Sequence, residues 1–308
     1  MLPQRKMTNY DFCLAWNWEY DADFAGILEQ ACLARGLRFF QVTPDNLLNT
    51  LEALERSQLS FLALLDRASE ADPRFLPLVR WASGHGVYRF DPHERAAHAM
   101  NKATMHLEFI TAGIHTPYTI ILPPYDEQPN LLPLDLSPLG DRFTIKPAHG
   151  GGGEGVVIEA TSLEQVLQAR QGYPHDYYLL QAHIVPAHLG GRPAWFRVIY
   201  CGERIYPCWW DINTHVYVPI TEEEEHTFGL TPLYATTYSI ARVCKLDIFS
   251  TEIALTSAGL FVAVDYVNDQ IDLRLKSNTY DGVPDEIVHS IAERLVELAL
   301  THTPVQSS

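Results

Sequence analysis

"KPAHGGGGEGVV" runs from Lys146 to Val157, and five of the six residues from Gly150 to Gly155 carry no side chain. Glycine permits positive φ and lets a backbone approach a ligand closely, at a cost in folding entropy. Gly150, Gly152 and Gly155 satisfy the string GxGxxG, but a dinucleotide fold needs strand, glycine turn and then helix. Here "VVIEA" follows, which reads as a strand. A Walker A loop carries its lysine after the last glycine, whereas Lys146 stands in front. Gly150 to Val157 also satisfies the kinase string GxGxxGxV, yet neither HRD nor DFG follows. The arrangement is a β-hairpin with a long glycine tip. Its backbone N–H groups would fold over a triphosphate like a lid; a flexible surface hairpin with no ligand is the alternative.

Upstream of this hairpin the chain alternates. "FCLAW" (12–16), "LRFFQV" (37–42), "SFLALL" (60–65) and "VYRF" (87–90) read as strands. Between them lie helical patterns: one ends on Gly36, the next is capped by Thr43 with Pro44 in its first turn, and the third is "PRFLPLVRWASGHG". Asp91 is expected to cap a helix that continues to about Ala112. Alternating β and α with short connections predicts a parallel sheet, and a first domain is placed at residues 1–98. Downstream, "YTIIL", "FTIKPA", "GVVIEA" and "DYYLLQAHI" are strand-like, with a helix at "SLEQVLQAR". "FRVIYCGERIYPCWWD" reads as two strands about "CGE", "GLFVAVDYV" as another, "TEEEEH" as a solvated loop, and "PDEIVHSIAERLVELAL" as a helix. This half is expected to be α+β and mainly antiparallel.

The chain has 308 residues, enough for two or three ordinary domains with buried cores. Hydrophobic residues make up 47% and charged residues 19%, which argues against wholesale disorder. A net charge of −16 disfavours general binding to nucleic acid or anionic membranes. Five cysteines with no CxxC pair argue against a disulfide framework and a zinc ribbon. Reduced thiols, the lack of an apolar stretch behind "MLPQRKMTNYDF" and the lack of an 18-residue apolar run predict a cytoplasmic protein without a membrane span.

Four stretches, in order, resemble the ATP-grasp superfamily. "NKATMHLEFITAGIHTPYTIIL" (101–122) resembles its lysine helix and the G-I-x-x-P turn, and "FTIKPAHGGGGEGVV" its second lysine strand and glycine lid. "YLLQAHI" (178–184) resembles the adenine hinge, and "STEIALTSAGLFVAVDYVND" (250–269) the metal-binding strand pair. The likeness covers about residues 85–308. It implies a Rossmann-like pre-ATP-grasp domain followed by a two-lobed ATP-grasp fold, with a small lobe over 99–180 and a large lobe over 181–308.

The resemblance also assigns residues. Lys102 and Lys146 would bind phosphate, under a lid formed by Gly150, Gly151, Gly152, Gly153 and Gly155. Gln181, Ala182, His183 and Ile184 would face adenine. Glu252, Asp265 and Asn268 would hold Mg²⁺, with Asp269 or Asp272 as substitutes for Asn268. Here Asp-x-x-Asn stands in place of the family's Glu-x-Asn, and two carboxylates with an amide oxygen suit that hard cation. No acid follows the hinge where the family holds the ribose; His188 is the nearest candidate. Arg197 would contact the γ-phosphate or an acyl phosphate. Arg274 and Lys276, on one face if "IDLRLKS" is extended, would hold a substrate carboxylate, or else solvate a strand edge. The implied reaction is ATP-dependent ligation of a small-molecule carboxylate and an amine, with a phosphotransferase or a non-catalytic nucleotide-binding module as alternatives. A homodimer is left open.

Overall fold

A computed structural model describes residues 7–302. Strand β1 (Thr8–Trp16), helix α1 (Ala22–Ala34), β2 (Phe39–Val42), α2 (Leu47–Glu55), β3 (Leu59–Arg67), α3 (Leu76–Gly84) and β4 (Tyr88–Phe90) alternate as expected. The four strands form a parallel sheet in the order β2-β1-β3-β4. Phe12 to Ala15 are all fully buried, the unbroken apolar run of a strand covered on both faces.

Helices α4 (His93–Met100) and α5 (Lys102–Thr111) follow, then β5 (Thr119–Leu122), β6 (Phe143–Pro147), β7 (Val157–Ala160), α6 (Leu163–Arg170) and β8 (Tyr178–Ala182). Their strands form an antiparallel sheet, β5-β8-β6-β7, in which the glycine stretch connects β6 to β7. A short ribbon, β9 (His188–Leu189) and β10 (Arg192–Pro193), leads to β11 (Trp195–Cys201), β12 (Arg204–Asp211) and β13 (Val216–Pro219). Next come α7 (Glu222–Phe228), α8 (Thr231–Cys244), β14 (Ile248–Leu255), β15 (Phe261–Asn268) and α9 (Asp285–His302). The second antiparallel sheet has the order β13-β12-β11-β14-β15. Its β11–β12 turn is Gly202–Glu203, with φ of 49° and 69°, the backbone sense that matches the twist of a two-residue hairpin.

Helix α9 buries a wide apolar stripe that includes Ile287, Ile291, Leu295 and Val296. These residues share a core with Phe12, Phe24 and Leu28 of the parallel layer, and with Ile199 and Cys208 of β11 and β12. All five cysteines are free and buried. Among the described residues no helix is long and apolar enough to cross a membrane.

Four local expectations change. The helix after β4 is broken at Asn101, whose ψ of 99° ends α4 and whose Oδ1 caps α5 by accepting from Thr104 N. Asp91 caps neither helix: it turns inward at φ 44° and accepts from the backbone N–H groups of Asp247 and Ile248. "TEEEEH" is not a loop but the start of α7. Thr221 and Glu224 form a reciprocal capping box there, and acids crowd the first turn, where the helix dipole favours them. Helix α2 begins at Leu47, behind Asn46, because Thr43 to Asn46 form a turn closed by Asn46 Oδ1 on Thr43 N.

Candidate nucleotide and metal site

Three strands of the larger antiparallel sheet set up a charged row. The register puts Arg197 opposite Glu252, and Glu252 opposite Asp265, so the three side chains share one face. Arg197 Nη1 donates to Glu252 Oε1 at 2.6 Å, and Trp195 Nε1 donates to Glu252 Oε2 at 3.0 Å. The Arg197 guanidinium lies 5.4 Å from the centroid of Trp210. Asn268 Nδ2 donates to Asp265 Oδ2 at 2.9 Å.

Lys146 reaches this row from the other sheet. It is on β6, 7% exposed, and its Nζ donates to the carbonyl of Val264 at 3.2 Å and lies 5.3 Å from the Tyr266 ring centroid. Burial pushes the Lys146 ammonium down, while Asp265 and Glu252 pull it back up. Burial would raise the Asp265 carboxyl, but Lys146, Lys102, Arg197 and the Asn268 amide outweigh it and hold Asp265 below the usual range. Two sheets thus contribute opposite charges to one buried cluster.

Lys102 opens α5 and is tied to the lid: its backbone N donates to Ala148 O at 2.8 Å and its Nζ to Gly150 O at 2.5 Å. His149 anchors the same root through Asp176, with its N–H at 2.8 Å and its ring Nδ1 at 2.9 Å. Gly150, Gly152, Gly153 and Gly155 have φ of 97°, 62°, 79° and 72°, where side chains are disfavoured. Gly151 has an ordinary φ. A Cβ on Gly155 would sit 2.5 Å from Tyr173 Cε2. Gly155→Ala is therefore expected to cost about 1–2 kcal/mol of strain in the lid. Its melting temperature should fall slightly while triphosphate affinity falls more, which thermal scanning and calorimetry on the same sample would separate.

A cavity of about 270 Å³ lies at the lid root, lined by Lys102, Gly150, Gly151, Asn268 and Asp269 among others. A second, of about 520 Å³, is lined by the hinge residues His183 and Ile184 with Trp195 and Trp210. Gln181 is buried, Ala182 half-buried and His183 exposed; His188 is also exposed, on β9. A larger groove of about 600 Å³ between α1 and α9 holds none of these residues.

Glu252, Asp265 and Asn268 offer hard oxygen donors side by side, a set that fits Mg²⁺, which keeps only one or two carboxylates and takes phosphate and water oxygens besides. Among the described residues no group of three His, Cys, Asp or Glu could hold a metal, so a caged protein site is not what the donors describe. Asp272 accepts from Arg274 Nε at 2.8 Å. Burial, reinforced by Glu70 and Asp66 against the pull of Arg67, pushes Asp269 up to about 7. Asn268 bonds Asp265 directly, whereas Asp272 is engaged by Arg274.

Arg274 and Lys276 are not drawn into the row. Their segment is not a paired strand; Leu275 makes a single bridge to Val283. Arg274 Nη2 bonds Asp272 at 2.7 Å and Asp281 at 3.1 Å, and Lys276 Nζ donates to Tyr217 O at 2.5 Å. Three other side chains join the site without having been singled out in the sequence: Trp195, Tyr266 and His106. Two had a signal. Trp195 is two residues before Arg197 on a strand, and His106 is four after Lys102 on a helix, so each shares its neighbour's face.

No family model and no curated protein matches the sequence. Solved structures do. A RimK domain ATP-grasp protein from Sphaerobacter thermophilus DSM 20745 superposes with a TM-score of 0.63 at 20% identity, covering 93% of this chain and 98% of that one. D-alanine–D-alanine ligase from Bacillus anthracis, complexed with ATP, gives 0.63 at 12% identity, covering 94% and 96%. The macrocyclase MdnC from Microcystis aeruginosa MRC, bound to the precursor peptide MdnA, gives 0.63 at 12%, covering 93% and 99%. The mixed α/β architecture of this chain, with its several sheets, is the ATP-grasp fold.

Proposed function

We propose that this chain is an ATP-dependent ligase that activates a substrate carboxylate as an acyl phosphate for attack by an amine. The observation that carries this reading is the row Arg197–Glu252–Asp265 with Lys146 reaching onto it from the opposite sheet. Asn268, bonded to Asp265, lines the cavity beside Gly150 and Gly151, and Trp195, bonded to Glu252, lines the one beside His183 and Ile184, which supports a nucleotide extended across the row. Lys102 and Lys146 would hold the polyphosphate, Gly150 to Gly155 would cover it, and Gln181 to Ile184 would receive the base. Glu252, Asp265 and Asn268 would hold Mg²⁺, which would supply neutralisation of the phosphate charge. Arg197 would shed part of its pairing with Glu252 to meet the transferring phosphoryl group. Positioning and charge neutralisation carry much of such chemistry. Arg274 and Lys276 would reach a substrate carboxylate only by exchanging their present partners.

The parallel sheet supports a Rossmann-like first unit at 1–98. The two antiparallel sheets support lobes at 99–180 and 181–308, with α9 packed back onto the first unit. Buried free thiols suit a cytoplasmic protein. The comparison with a ligase complexed with ATP supports the nucleotide.

The deciding experiment incubates the chain with ATP, Mg²⁺ and pools of carboxylates and amines. ADP and phosphate released together only when both pools are present is the expected result. ADP with a phosphorylated product would make it a phosphotransferase, and ATP binding without turnover a nucleotide-binding module.

A further inference from the structure

Tyr266 is completely buried, between the proposed metal ligands Asp265 and Asn268. Its hydroxyl lies 2.6 Å from both Gln181 Nε2 and His106 Nδ1, with the Thr119 hydroxyl beside it. An amide nitrogen only donates, so Tyr266 Oη accepts from Gln181; Thr119 Oγ1 gives its own proton to the Pro117 carbonyl, and with the His106 ring in its Nε2–H tautomer the tyrosine proton goes to Nδ1. That direction requires a neutral imidazole. Burial, helped by the Lys146 ammonium, pushes His106 down to about 4, in agreement. The second N–H of Gln181 goes to Thr119 Oγ1 at 3.2 Å. With both hydrogens spent inside, the carbonyl oxygen is the group Gln181 has left for a ligand. The same tyrosine ring lies beneath Lys146 Nζ. One side chain thus joins the hinge on β8, the lysine on β6, the metal strand β15 and the helix that carries Lys102.

We propose that Tyr266 is a specificity-determining residue: its hydroxyl locks the Gln181 amide carbonyl-outward for the exocyclic amino group of adenine, and its ring seats Lys146. An outward carbonyl opposes the oxygen that guanine carries at the same position. The proposal rests on the nucleotide reading above and adds to it a residue outside the hinge. The competing role is packing alone, since Phe109 meets the Tyr266 ring edge-on at 5.1 Å.

The test is calorimetric binding of ATP and GTP to the full chain. Tyr266→Phe keeps the ring and frees the amide to turn, so the ATP-over-GTP preference should fall about tenfold, the scale of one hydrogen bond. His106→Leu leaves the tyrosine proton without its acceptor and sends it to the Gln181 carbonyl. The amide then turns, and the preference should fall likewise; this second variant decides the matter if the first does not fold. Tyr266→Leu, which removes the ring as well, should in addition weaken both triphosphates. Wild-type ATP binding with an unchanged ATP:GTP ratio in Tyr266→Phe or His106→Leu, whatever their melting temperatures, overturns the proposal alone. A wild type that binds neither nucleotide overturns the ligase reading and this proposal with it.

Discussion

Lys146→Ala is expected to weaken ATP binding by about 10- to 150-fold, the range of one hydrogen bond to a charged group, 1.5–3 kcal/mol. The protein itself should lose far less than the binding does. Burial holds the Lys146 pKa below its ordinary value, so the folded state disfavours the ammonium. The sign follows from linkage. A lysine depressed on folding contributes an unfavourable term while it is charged, and that term fades as pH rises through the folded pKa. Removing the charge removes that term. What is lost is the packing of the stem over Tyr266 and part of the compensation of Asp265. Lys146→Met keeps the stem volume and should leave the melting temperature nearly unchanged while ATP affinity drops as in the alanine variant. Equal affinity in wild type and both variants would remove Lys146 from the site.

Much of this architecture was legible because it depends on local patterns. Period-two and period-3.6 runs marked the alternating first unit, and glycines that adopt positive φ marked the hairpin tip. The resemblance of 250–269 to a strand pair implied that Glu252 and Asp265 lie on neighbouring strands, and the register puts them opposite each other. Lys102 and Lys146 share no local pattern; only the resemblance linked them, and the structure places both around Gly150 and Asp265. What escaped depends on partners distant in sequence. Asp91 reads as a helix cap until Asp247 and Ile248, over 150 residues away, claim its oxygens. The acidic run at 222–225 reads as solvated because its charge hides a capping box. Arg274 reads as a free cation on a strand; Asp281, seven residues later, takes part of it. Tyr266 and His106 carry no chemical signature of their own, since a buried tyrosine and a helical histidine are ordinary core residues until their shared hydrogen bond is seen.

Asp265→Asn separates the two jobs assigned to this carboxylate. As a metal ligand, its loss should raise the Mg²⁺ needed for half-maximal activity and lower turnover by about 100-fold or more, because charge neutralisation at a phosphoryl group is worth several kcal/mol. As a counter-charge, it is the first of the groups that pull the Lys146 pKa back up against burial. Without it Lys146 becomes a weaker base still, and a depressed lysine loses its proton at lower pH. ATP affinity, followed by calorimetry from neutral to alkaline pH, should then fail at a lower pH in Asp265→Asn than in the wild type. Glu252 acts on Lys146 more weakly than Asp265 and Lys102 do, and it spends one oxygen on Arg197. Glu252→Gln should therefore shift the alkaline limit less while still raising the Mg²⁺ requirement. An Asp265→Asn protein with wild-type Mg²⁺ dependence would strip Asp265 of the ligand role. One with an unmoved alkaline limit would mean that Lys146 and Asp265 do not feel each other across the two sheets, and the site as drawn would lose the contact that brings the sheets together.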